Sequence, residues 1–71
     1  MPLSQEAVVR TLLAARTRIS ASAWMIARDA QAAEDIFQNL SVKALAGESR
    51  FDLEAQLISW AHITARHEAL N

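Results

Sequence analysis

Apolar residues recur along this chain at helical spacing in three successive blocks, and no block shows the alternation of a strand. In the first block Val8, Leu12, Ala15, Ile19, Ala23 and Ile26 fall on one side of a helix, with only the small Ser22 interrupting the stripe. Ser4 is a suitable N-cap and Glu6 suits the first turn, so one long helix is predicted over about 4–28. Asp29 caps a second helix over 30–46, whose inward face is Ala33, Ile36, Phe37, Leu40 and Ala44 and whose end is set by Gly47 in a left-handed conformation. After the link Glu48-Ser49-Arg50-Phe51, Asp52 is the predicted cap of a third helix over 53–71, with Leu53, Leu57, Trp60, Ala61 and Thr64 as its buried stripe. The expectation is an all-α fold of one domain, 1–71. The first two helices form a hairpin, and the third packs across it through Leu53, Leu57 and Trp60 as a three-helix bundle. The segment Arg66 to Asn71 carries no stop signal, so the domain is expected to be a piece of a longer chain.

What the helices turn outward is more informative than what they bury. On the second helix the side away from the core carries Asp35, Gln38, Asn39 and Val42: one acid, two amides and an exposed valine, the composition of a docking surface for another protein. On the third, Ser59, His62 and Arg66 turn away from the core, with Ile63 and His67 at the margin. Trp60 lies within the apolar stripe and reads as a core tryptophan, whereas Trp24 lies opposite its helix's stripe and is expected to meet either a further segment or a partner. Arg10, Arg16 and Arg18 read as solubilising residues on the first helix.

Composition narrows the classes. The chain has one glycine, one proline and no cysteine, which suits helices throughout and excludes disulfides and thiolate metal sites. A chain of 71 residues buries about 60% of its unfolded surface and has little room for an enzyme pocket. Seven Lys and Arg stand against eight Asp and Glu, a net charge of −1, so global charge gives no sign of nucleic-acid binding. No apolar run approaches the ~20 residues of a membrane span, and no signal peptide is visible; a soluble, cytoplasmic protein without a membrane partner is expected. His62 and His67 are five apart and do not make an i, i+4 metal pair, and the adjacent Glu34 and Asp35 point to different sides. The serines, Ser4, Ser20, Ser22, Ser41, Ser49 and Ser59, lack the glycine-flanked turn of a nucleophile. No catalytic site, metal or cofactor is expected.

The run Asp29-Ala30-Gln31-Ala32-Ala33-Glu34-Asp35-Ile36-Phe37-Gln38, followed by Phe51, Leu57, Trp60, Ala65 and Arg66, resembles the second conserved region of bacterial sigma factors, and more narrowly the extracytoplasmic-function (ECF) group of the sigma-70 family. The likeness covers roughly residues 12 to 71. It implies a transcription initiation factor domain that docks on the clamp helices of the RNA polymerase β′ subunit and recognises and helps open the −10 promoter element. Placed by position, Asp35, Gln38 and Asn39 would meet the clamp, where amides and a carboxylate can pair with a partner's arginines, and Val42 shares that face. Ser59, His62, Ile63, Arg66 and His67 would meet promoter DNA, mainly as single strand captured by base flipping and stacking. An anti-sigma factor is a further partner that the resemblance allows.

The chain departs from the family pattern at Asn39, Leu40 and Ser41, where Glu, Thr and an aromatic are usual, so one charge-assisted contact to the clamp would be weaker. Leu57, Ala61, Thr64, His67 and Asn71 also depart from it. With one certain positive charge on the third helix's outer face, DNA affinity of the domain alone should be weak. The alternative from a different class is a helical interaction or dimerisation module that uses the Asp35, Gln38 and Val42 face or the Trp24 face.

Overall fold

A computed structural model describes residues 1–47 and 50–71, and among them it contains four helices and no strand. These are α1 (Gln5–Ala14), α2 (Arg16–Ala27), α3 (Ala30–Leu45) and α4 (Glu54–Leu70). Glu48 and Ser49 of the predicted link lie outside the described residues.

The single long first helix predicted over 4–28 is instead two. Ala15 sits between them at φ −101° and ψ 6°, and its N–H is shared between the carbonyls of Thr11 (3.1 Å) and Leu12 (3.2 Å). No proline, glycine or cap residue marks this break, so its cause is packing rather than local chemistry. Ala15 is itself buried, as a small side chain at a close approach must be.

The caps follow from side-chain chemistry. Ser4 Oγ accepts from the Ala7 N–H at 3.1 Å, and Asp29 Oδ1 accepts from Gln31 (2.9 Å) and Ala32 (3.3 Å). Arg28 ends α2 at φ 56°, one of two left-handed residues in the described chain; the other is Gly47 at φ 78°, just past α3. Asp52 does not cap α4. Leu53 is the N-cap residue, and the Gln56 side-chain oxygen Oε1 reaches back to accept from the N–H groups of Asp52 (2.9 Å) and Leu53 (3.1 Å).

The core is one cluster drawn from all four helices, with Ile19, Leu40 and Leu57 fully enclosed at its centre. All five residues expected to face inward on α3 are buried. Leu53, by contrast, is 61% exposed: it precedes the first turn of α4, so its side chain follows the extended loop and not the helical stripe. Packing of α4 rests on Leu57, Ala61 and Ala65, and the two small alanines let it lie close to α2, its most extensive neighbour. Phe51 plugs the loop end of the core. Its ring meets that of the half-buried Trp60 at 5.3 Å, and its carbonyl accepts from the Leu3 N–H at 2.7 Å, which pins the N-terminal segment to the α3–α4 connection. Lys43 and Glu68 pair at 3.0 Å between α3 and α4.

Candidate functional site

The described residues extend 37 × 21 × 16 Å and carry two open surface grooves. The larger, about 390 Å³, runs between α1 and α3. Its floor is Leu12 and Phe37, and its lips are Val9 and Leu13 on α1 and Val42 on α3. Leu13 is 59% and Val42 65% exposed, so the groove presents apolar surface on both of its sides. One end is closed by the ion pair of Arg16 with Glu34, and the same guanidinium lies 5.3 Å from the Phe37 ring centroid. Arg16 is therefore a wall of the groove and not simply a solubilising residue.

Asp35, Gln38 and Asn39 are all exposed on α3, and Gln38 and Val42 both line the groove. The amides are organised along the helix: Gln31 Nε2 donates to Asp35 Oδ1 at 3.1 Å, and Gln38 Nε2 donates to Glu34 Oε1 at 3.4 Å. A row of polar groups thus borders an apolar trough. Sequence reasoning found the α3 side of this arrangement and missed the α1 side. The available signal was the i, i+4 pair Val9 and Leu13, a second apolar row beside the core stripe.

The five residues expected to meet DNA share one region of α4 but differ in exposure. Ser59, Ile63, Arg66 and His67 are exposed. His62 is not turned away from the core as the helical wheel suggested. It is half-buried in the α2–α4 seam, its Nδ1 2.6 Å from Ser22 Oγ. The hydrogen bond explains the one polar interruption in the first block's stripe, since Ser22 and His62 satisfy each other where α2 meets α4. Burial, and after it the positive charges of Arg66 and Arg18, hold the His62 pKa below its usual value.

At the end of α2, Trp24 is 42% exposed with the Arg28 guanidinium 5.4 Å from its ring centroid. Among the described residues no three His, Asp or Glu side chains gather into a metal site, and no helix is long and apolar enough to cross a membrane. Compared with family models, curated proteins and solved structures, the chain matches none.

Proposed function

We propose that this domain is a non-enzymatic transcription initiation module of the ECF sigma-factor kind, docking on the β′ clamp helices of RNA polymerase through α3 and presenting α4 to the opened −10 element. The observation that carries the reading is the exposed row Asp35, Gln38, Asn39 beside the apolar groove of Val9, Leu13 and Val42. A helical partner laid along that groove would bury the three exposed apolar residues, and its arginines would meet the Asp35 carboxylate and the amide oxygens. Asn39 in place of an acid makes the contact weaker than the family pattern implies.

The test is calorimetric titration with a bacterial β′ clamp-helix fragment, wild type beside a double Asp35→Ala, Gln38→Ala variant whose helicity is checked by circular dichroism. Loss of one charge-assisted and one neutral hydrogen bond should weaken binding by roughly 2–4 kcal/mol. Absence of wild-type binding at high micromolar concentration would remove the docking reading. The exposed groove favours one second reading, self-association as an interaction module. It predicts a dimer on size-exclusion chromatography that Val42→Asp disrupts.

A further inference from the structure

Ser22 and His62 are joined across the α2–α4 seam, and each has an arginine one turn away on its own helix: Arg18 four residues before Ser22, and Arg66 four residues after His62. Both arginines are exposed, both act electrostatically on His62, and neither has a carboxylate partner among the described residues. The other charged pair of this helix packing, Lys43 with Glu68, is closed on itself between α3 and α4. In a chain of net charge −1 this is a local concentration of positive charge, contributed by two helices rather than one.

We propose that Arg18, His62 and Arg66 together hold a phosphodiester group of single-stranded nucleic acid across the α2–α4 seam, and that the imidazole takes up a solvent proton as the group binds. The inference rests on the reading that the α4 face meets DNA, and it adds α2 and a proton to that face. The hydrogen bond to Ser22 survives protonation. With a neutral ring protonated on Nε2 the Ser22 hydroxyl donates to Nδ1; once Nδ1 carries a proton, as it does in the charged ring, Nδ1–H donates to Oγ, and the hydroxyl turns to the Arg18 carbonyl oxygen, 3.4 Å away. What opposes the charged imidazole is burial and the two guanidiniums. A bound phosphate oxygen pair cancels the repulsion, so anion and proton bind cooperatively. Phosphodiesters do not titrate near neutrality, which assigns any pH dependence in this range to the protein.

The experiment is fluorescence anisotropy with a labelled oligodeoxythymidylate at low salt, at about pH 7.5 and about pH 5.5, either side of the ordinary histidine pKa. Affinity should rise about fivefold on acidification, the low end of measured couplings as suits a partly solvated cluster. Double substitution Arg18→Ala, Arg66→Ala should weaken binding about tenfold and lower the salt slope by about 0.7 for the phosphate released. His62→Gln should keep the contact to Ser22 yet abolish the pH dependence, while His67→Gln retains it. Unchanged affinity in the double arginine variant, a pH response that survives His62→Gln, or competition by sulfate without oligonucleotide affinity would each overturn the proposal. None of these substitutions touches α3. Oligonucleotide affinity that is present in the wild type but unmoved by these variants overturns this inference alone, absence of any wild-type affinity removes the α4 reading it rests on, and clamp-fragment binding by the same variants tests the docking reading separately.

Discussion

Truncating Leu57 should destabilise this domain strongly, whereas truncating Leu53, four residues earlier and on the same predicted stripe, should be close to silent. Leu57 is fully enclosed, 0% exposed, at the centre of the four-helix core. Leu→Ala at such sites costs about 2.7–5.0 kcal/mol, the lost transfer energy plus the cavity left behind. The total stability of a chain of 71 residues is about 4–10 kcal/mol at ordinary per-residue values, so Leu57→Ala removes about a quarter of it or more. With a urea m-value near 1 kcal/mol/M for a domain this small, the midpoint should fall by roughly 3 M. Leu53→Ala leaves no cavity and should stay within about 0.5 kcal/mol. Equilibrium urea unfolding followed by helical circular dichroism reads both. Equal losses for the two variants would refute the placement of Leu53 outside the core, and a loss below about 1 kcal/mol for Leu57→Ala would refute the packing of α4.

His62 has a pKa lowered in the folded state, so the unfolded chain binds more protons below the ordinary histidine value; stability is full above about pH 6.5 and declines as pH falls through the folded pKa, a decline in urea midpoint that His62→Gln should reduce. If the wild type and His62→Gln lose stability in parallel between neutral and mildly acid pH, the electrostatic account of the α2–α4 seam is wrong. Gly47→Ala should cost about 1 kcal/mol by thermal unfolding through backbone strain alone, because Gly47 is left-handed at φ 78° while an added Cβ would meet nothing within 4 Å; a neutral result would count against the left-handed stop of α3.

Much of this architecture was legible from residue order because its causes are local. The Asp29 cap, the Gly47 stop and the inward set Ala33, Ile36, Phe37, Leu40 and Ala44 depend on side chains one or two turns apart, and each stands where the periodicity put it. The exposed row Asp35, Gln38, Asn39 and Val42 follows from the same wheel, so that side of the candidate site was readable too. Four other features were not. The break at Ala15 has no breaker residue to announce it, and Leu53 lost its place in the core when the start of α4 moved past it. His62 looked outward on its own helix because a wheel contains no neighbour; α2 supplies Ser22 and draws the imidazole into the seam. The groove likewise needs Val9 and Leu13 of α1 set against Val42 of α3. The sequence by itself determined that the chain is helical, the Ser4 and Asp29 caps, the Gly47 stop and the inward face of α3, because these depend on hydrogen bonds and spacing within a few residues. The tertiary structure alone decided where the first helix breaks, which polar side chains meet across helices and where apolar surface stays open, because those depend on how separate helices approach one another in space.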